Sequence, residues 1–316
     1  MDTPISWIKA YVPDLDCTPQ EYADKMTLSG SNMESVTYLD KNLEKSNLEY
    51  FINSISSKNL PNLVFVDNTS SEDVVAEYSL LFNNNISIVT CNKKGNSSSY
   101  EQYSKFKRLA KKNNVSFLYE TNVGAGLPII KTLNDLWISG DEILKIEAIL
   151  SGTISYIFNN YVGDNTFAEV VRTAQELGYT EPDPRDDLNG MDFSRKMLIL
   201  GREIGLPLEM SNVNIKDFLP EACLKAESIP AFYEELEKHE PYFSSFKNEA
   251  ENSGRKLRLI GVLEDGKINI EVQIVDANHP FFGLSGSDNI ISFTTSRYKN
   301  TPLVVKGPGA GAEVTA

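Results

Sequence analysis

Residues 181–196 read EPDPRDDLNGMDFSRK and gather Glu181, Asp183, Asp186, Asp187 and Asp192 just ahead of Arg195 and Lys196. A lysine held among acids can exchange a proton with a substrate oxygen, and a group of carboxylates can bind a cationic substrate end. Asp192 and Lys196 stand at i and i+4, on one face of a helix, beside the apolar Met191, Met197, Leu198 and Leu200. The same spacing describes a surface ion pair worth about 0.3–0.5 kcal/mol. Acids at a helix start favour its dipole by up to about 1 kcal/mol each. Spacing leaves both readings open. Pro182 and Pro184 are expected to keep the first part irregular. Asp187 or Asn189 is then the expected N-cap of a helix beginning near Gly190.

The elements that must position these residues are legible from about Asn47 onward. LEYFINSISSKNL, EDVVAEYSLLFNNN and SYEQYSKFKRLAKKNN have helical apolar spacing, whereas LVFVDNTSS, ISIVTCNKK and VSFLYETNV read as short strands. Strands separated by helices predict a parallel, doubly wound α/β sheet whose ligands sit at the carboxyl ends of the strands. Those ends carry Asp67–Ser71, Asn92–Lys94 and Glu120–Asn122, each a polar turn able to bear chemistry. From Gly124 the texture changes. LPIIKTLNDLWISGD, FAEVVRTAQELG and MDFSRKMLILGREIG predict helices, the second ending at Gly178. ILKIEAILSG, NIISFTTSRY and TPLVVKG predict strands, and RKLRLIGVLEDGKINIEVQIV a hairpin with an Asp-Gly turn. Helices packed on one face of a mixed sheet would suit this second part.

The 316 residues are enough for two domains or for one domain with an insertion, and their composition is that of an ordinary globular protein. Thirty basic against forty-four acidic residues leave a net charge of −14, which disfavours contact with nucleic acid or anionic membrane. Cys17, Cys91 and Cys223 are too few and too scattered for a disulfide framework or a zinc site and suggest a reducing compartment. No apolar run approaches membrane-spanning length and no secretory leader is evident, so a cytoplasmic location is expected. His239 and His279 stand in no motif and read as ordinary surface or core positions.

GYTEPDPRDDLNGMDFSRKMLILGREIG closely resembles the substrate-site segment of homoserine dehydrogenases, in particular the form found in bifunctional aspartokinase–homoserine dehydrogenases. FVDNTSS, VTCNKKGNSSS, YETNVGAGLPII, ILSGTISYIFN and KGPGAGAEVTA match the same family in the same order, over roughly Leu48–Ala316. The resemblance implies reversible hydride transfer between NADP or NAD and L-homoserine or L-aspartate 4-semialdehyde. It implies a Rossmann-type nucleotide domain and an α+β substrate and dimerisation domain. Carried over by motif, Lys196 would be the acid/base at the substrate hydroxyl, Asp192 would orient substrate and lysine, and Glu181 and Asp187 would meet the substrate ammonium. Thr69, Lys93, Gly178 and Gly311 would line the cofactor site; Lys93 reads equally as a loop lysine, Gly178 as a helix-terminating glycine and Gly311 as part of a flexible terminus. Glu120, with the main-chain carbonyls of Val123, Ala125 and Leu127, matches a sodium-binding loop of the family, and oxygen-only ligation suits such a hard cation. Asn92 and Ser151 lie in matching motifs with no separate role. A homodimer is expected by analogy, with a small-molecule substrate and neither nucleic acid nor membrane as partner.

The chain departs from the family pattern before Leu48, where no G-x-G-x-x-G turn is present. ISWIKAYVPDLDCTPQEYADKMTLSGSNMESVTYLDKNLEK resembles instead the start of the bacterial phenylalanyl-tRNA synthetase β subunit. The expected organisation is an appended segment at 1–45, a partial nucleotide-binding domain at 46–122, a substrate and dimerisation domain at 123–304 and a truncated return to the nucleotide domain at 305–316. Without its glycine turn, the cofactor half is expected to bind dinucleotide weakly, so the activity of the chain is set against a non-catalytic binding module and a translation-related fragment.

Overall fold

The structure, a computed structural model, describes residues 48–216 and 218–308. The appended segment at 1–45 and Gly311 lie outside the described residues. The chain divides into two compact units, residues 1–51 and residues 52–316. Apart from the first residues of its opening helix, every described element belongs to the second unit.

The first half supplies α1 (Leu48–Ser56), β1 (Val64–Asp67), α2 (Glu72–Ala76), α3 (Tyr78–Asn83), β2 (Ser87–Thr90), α4 (Lys93–Asn96), α5 (Tyr100–Lys112) and β3 (Phe117–Leu118). Strands β1, β2 and β3 form a parallel sheet in that order. Its aromatic core comes from the helices that cross between strands. Tyr78 and Phe82 of α3 and Phe106 of α5 are buried, and Phe82 meets the ring of Phe117 edge-on at 5.4 Å. Ser71 and Ser99 cap α2 and α5 by accepting from Val74 N and Gln102 N. The single helix expected over 72–85 is two, divided at Glu77. The strand expected over 115–123 keeps only two residues. Asn122 donates to the Thr90 carbonyl at 3.1 Å, within a 3₁₀ turn at Glu120–Asn122 that ends the extended run.

The second half supplies α6 (Ile129–Ile138), β4 (Ile143–Ile149), α7 (Gly152–Asn160), α8 (Phe167–Glu176), α9 (Pro184–Leu188), α10 (Met191–Glu203), β5 (Val213–Ile215), α11 (Glu221–Leu224), α12 (Ile229–Lys238), α13 (Glu240–Asn252), β6 (Lys256–Glu264), β7 (Lys267–Val275), β8 (Asn289–Thr295) and β9 (Leu303–Gly307). Its sheet has the order β5-β7-β6-β4-β8-β9, with β5 parallel to β7 and the other pairs antiparallel. Asp265 and Gly266 both take positive φ, the two-residue turn that the right-handed twist of the β6–β7 hairpin favours. Apolar residues of one sheet face, including Ile146, Leu259 and Leu263, pack with α7, α8 and α10 into the main core. The opposite face carries a smaller cluster around Ile149, Ile260, Phe281 and Ile290.

Helix α10 comes unusually near this sheet at Gly261. A Cβ there would stand 2.9 Å from Met197 Cγ and Sδ and 3.0 Å from Phe193 Cε2. Burial of Phe193 and Met197 at that contact contributes roughly 1.5–3 kcal/mol each.

Candidate active site

Three expectations for the charged segment need correction. Pro184 does not prevent helix formation. It sits at the first position of α9, where a missing N–H costs nothing, with Asp183 as N-cap accepting from Arg185 N. Neither Asp187 nor Asn189 occupies the N-cap of α10; that position belongs to Gly190 at φ 71°, because the bend between α9 and α10 needs a left-handed residue. Asn189 Oδ1 still accepts from Met191 N at 2.8 Å. Met191 is exposed and does not join the apolar stripe of Met197, Leu198 and Leu200, all fully buried.

The first two turns of α10 present Asp192 and Lys196. Lys196 Nζ lies 2.8 Å from Asp192 Oδ2 and donates to the Leu150 carbonyl at 2.6 Å, where β4 ends. The other carboxylate oxygen of Asp192 lies 3.1 Å from Lys93 Nζ, at the start of α4. Burial alone would raise the Asp192 carboxyl. The ammonium groups of Lys196 and Lys93 outweigh it and bring the carboxyl down to about 2.

Asp187 lies in the same acidic group. Its Oδ2 accepts from Glu181 N at 2.7 Å and its Oδ1 from the Thr153 hydroxyl at 3.2 Å. Thr153 shares that one hydrogen with the nearer Tyr179 carbonyl, so α7 holds the loop that carries Glu181. Burial raises the Asp187 carboxyl; the bonds from Glu181 N and Thr153 only partly offset this, and the charges of Glu181 and Asp192 raise it further. The side of the site facing these acids therefore favours a cation. Gly178, at φ 74°, stands just past α8 in the helix-terminating conformation expected of it.

The strand ends opposite are organised around Asp67. This buried carboxylate accepts from Thr69 N at 2.8 Å, from the Thr69 hydroxyl at 2.7 Å, from Asn92 Nδ2 at 3.1 Å and from the Tyr78 hydroxyl. Asn92 caps α4 by accepting from Lys94 N at 3.1 Å and so orients Lys93. The polar turns of β1 and β2 are thus tied together with Lys93 aimed at α10. Thr69 and Lys93 are polar groups at the carboxyl ends of parallel strands, where ligands of such sheets sit.

Glu120 spends its carboxylate on the first turn of α6, accepting from Ile130 N at 2.9 Å and Lys131 N at 3.0 Å. Burial leaves its carboxyl raised in spite of those bonds. Gly124 and Ala125 beside it both take positive φ, and Val123 is fully buried. Among the described residues no group of three or more His, Cys, Asp or Glu side chains could hold a metal ion. The sequence marked Asp67 only as part of a polar strand-end turn, gave Asn92 and Ser151 no separate role and did not single out Thr153. Ser151 caps α7 by accepting from Ile154 N. Thr153 and Ser151 both lie inside ILSGTISYIFN; Ser151 bonds locally, whereas the partners of Thr153, Tyr179 and Asp187, are distant in sequence.

The Lys196–Asp192 couple stands where α10 meets the strand ends of a parallel, Rossmann-like sheet, and a second, mixed sheet completes this α/β class of protein. Comparison with known proteins carries this further. Residues 128–316 match the family model "Homoserine dehydrogenase", and residues 33–120 match "Homoserine dehydrogenase, NAD binding domain". A homoserine dehydrogenase of Schizosaccharomyces pombe is 42% identical over 87% of this chain and 77% of its own length. A chloroplastic bifunctional aspartokinase/homoserine dehydrogenase 1 of Zea mays is 46% identical over 88% of this chain but only 30% of its own length, so the chain spans about a third of such plant relatives. A Candida auris crystal structure of unknown function superimposes with a TM-score of 0.81 at 37% identity, covering 86% of this chain and 77% of that one. The chain belongs to the homoserine dehydrogenase family. The nucleotide-domain match begins at residue 33, so it takes in residues 33–45 of the segment expected to be appended.

Proposed function

We propose that this chain interconverts L-homoserine and L-aspartate 4-semialdehyde with NADP or NAD. The observation that carries the reading is the Asp192 carboxylate clasped between Lys196 and Lys93, which joins the substrate helix to the nucleotide strand ends. In the reductive direction Lys196 gives a proton to the carbonyl oxygen as that oxygen gains negative charge, and in the oxidative direction it takes the hydroxyl proton back. The bound nicotinamide cofactor supplies or accepts the hydride. Bonds to Leu150 O and Asp192 use two of the three N–H groups of Lys196, and the third serves the substrate oxygen. Glu181 and Asp187 hold the substrate ammonium. Thr69 and Lys93 line the cofactor site, with Gly178 and Gly311 letting backbone approach it. Sodium at Glu120, Val123, Ala125 and Leu127 rests on the family resemblance.

In this scheme the nucleotide part is 46–122, the substrate and dimerisation part 123–304, and 305–316 returns to the nucleotide part. The chain acts as a homodimer in the cytoplasm, without nucleic-acid or membrane partners; no described helix is long and apolar enough to cross a membrane. An archaeal homoserine dehydrogenase in complex with NADPH shares this fold at 22% identity and TM-score 0.67. The absence of a G-x-G-x-x-G turn from the sequence favours one alternative, a module that binds substrate without turning it over. A translation role, from the synthetase-like residues 1–45, would require tRNA to co-purify with the protein.

The deciding assay is NADPH oxidation with aspartate semialdehyde on the purified 316-residue chain. Lys196→Ala is expected to lower kcat by about 10²–10⁴-fold. Undiminished turnover in that variant rules out the role given to Lys196.

A further inference from the structure

The last turn of α10 bears two charges that the proposed reaction does not use, Arg202 and Glu203, only 3% and 8% exposed. Glu203 accepts from the Tyr119 and Tyr103 hydroxyls at 2.6 and 3.2 Å and lies 3.4 Å from Lys107 Nζ. Arg202 does something different. Its Nη1 donates to the Asn96 carbonyl at 2.8 Å, at the end of α4, while Nε and Nη2 both donate to the Leu208 carbonyl at 3.0 and 2.8 Å. Nη2 also lies 3.2 Å from Glu209 Oε2, and Glu209 Oε1 accepts from Tyr100 N, the first residue of α5. The guanidinium stands 5.1 Å from the centre of the Tyr103 ring, within cation–π distance. Both sides of the α4–α5 connection are therefore held from one point on α10.

Helix α4 has only four residues. Its first, Lys93, reaches Asp192 near the start of α10, and its last, Asn96, is gripped by Arg202 near the end of α10. Asn96 Nδ2 in turn donates to Asn122 Oδ1 at 2.9 Å, and Asn122 to Thr90 O, which carries the same restraint back to β2. A short helix fixed at its far end cannot slide, so the position of Lys93 follows from the grip on Asn96.

We propose that Arg202 is a positioning residue of the dehydrogenase site: by locking the α4–α5 connection onto the last turn of α10, it sets where Lys93 meets Asp192 on the first turn. A guanidinium is required because one rigid planar fork must serve the carbonyls of Asn96 and Leu208 and the Glu209 carboxylate together; an ammonium point charge cannot span them. The inference rests on the dehydrogenase reading for its consequence in turnover, though not for its geometry.

The test compares Arg202→Lys, Lys93→Met and the double variant in the full chain by two readouts. The first is the carboxyl-carbon NMR titration of Asp192, which needs no turnover. In the native chain Asp192 stays ionised through the range where ordinary carboxylates titrate, near about 3.9. Its surroundings include the like charge of Asp187 as well as Lys196 and Lys93. Arg202→Lys is expected to raise its midpoint, by no more than Lys93→Met does, and the double variant is expected to match Lys93→Met alone. The second is kcat/KM, expected to fall about ten- to a hundredfold in Arg202→Lys but to change less than about twofold when Arg202→Lys is added to Lys93→Met. If Arg202→Lys does not fold, Glu209→Ala, at a half-exposed position, is expected to raise the Asp192 midpoint in the same direction. An unshifted Asp192 midpoint in both Arg202→Lys and Glu209→Ala, or losses that add across the two sites, overturns the inference. Absence of turnover in the native chain sinks the dehydrogenase reading alone, because the titration still reports on Arg202.

Discussion

Asp187 and Asp192 sit in one acidic group yet are driven in opposite directions. For Asp192, burial is outweighed by two lysines and the carboxyl falls to about 2, so ionised Asp192 stabilises the fold. That contribution is complete above its unfolded value of about 3.9 and is lost as pH falls toward about 2. Asp192→Asn should therefore flatten the acid limb of the stability curve between those values, read by thermal melts at a series of pH. Asp187 has the reverse sign. Its raised carboxyl means that ionisation costs stability above its unfolded value, and a bound ammonium would relieve that cost. Asp187→Asn is expected to raise Tm at neutral pH while raising KM for homoserine about tenfold or more, with KM for cofactor little changed. A variant with unchanged homoserine KM would remove Asp187 from the ammonium site.

At the scale of elements, Gly261 decides how near α10 can lie to its sheet. With a Cβ only 2.9 Å from Met197 and 3.0 Å from Phe193, Gly261→Ala must push α10 outward or force those side chains from their rotamers. The expected cost is about 1–3 kcal/mol in denaturant unfolding. Activity should fall by more than the lost stability explains, since Asp192 and Lys196 ride on the displaced helix. Gly178→Ala makes a useful contrast. Nothing stands within 4 Å of its added Cβ, so only the left-handed backbone at φ 74° is penalised, at roughly 1 kcal/mol. Helix α10 was readable from its apolar spacing, and so was its start near Gly190, but the residue that caps it was not. The residue that begins it answers to the turn from α9, which no pattern of side chains along one helix records.

For the whole molecule, the question is whether two sheets cooperate in one reaction. The two halves meet through Lys93–Asp192 at one end of α10 and through Arg202 with Asn96 at the other. If the nucleotide half binds NADPH, a cofactor concentration of about 100 Kd should stabilise the chain by about 2.7 kcal/mol and raise Tm accordingly. Calorimetry with NADPH separates the dehydrogenase from the substrate-binding module: micromolar binding supports the first and a flat titration the second.

Much of this protein was already determined by its order of residues. Alternating apolar runs imposed the parallel sheet, the Asp-Gly turn imposed the β6–β7 hairpin, and the i, i+4 spacing put Asp192 and Lys196 on one helix face, because these are local constraints of backbone and period. Tertiary structure alone decided the partners that come from far along the chain. Lys93 reaches Asp192, Thr153 reaches Asp187, and Arg202 reaches the carbonyl of Asn96. Which distant groups meet is settled by how helices pack on a sheet, and that packing depends on volumes such as the missing side chain at Gly261.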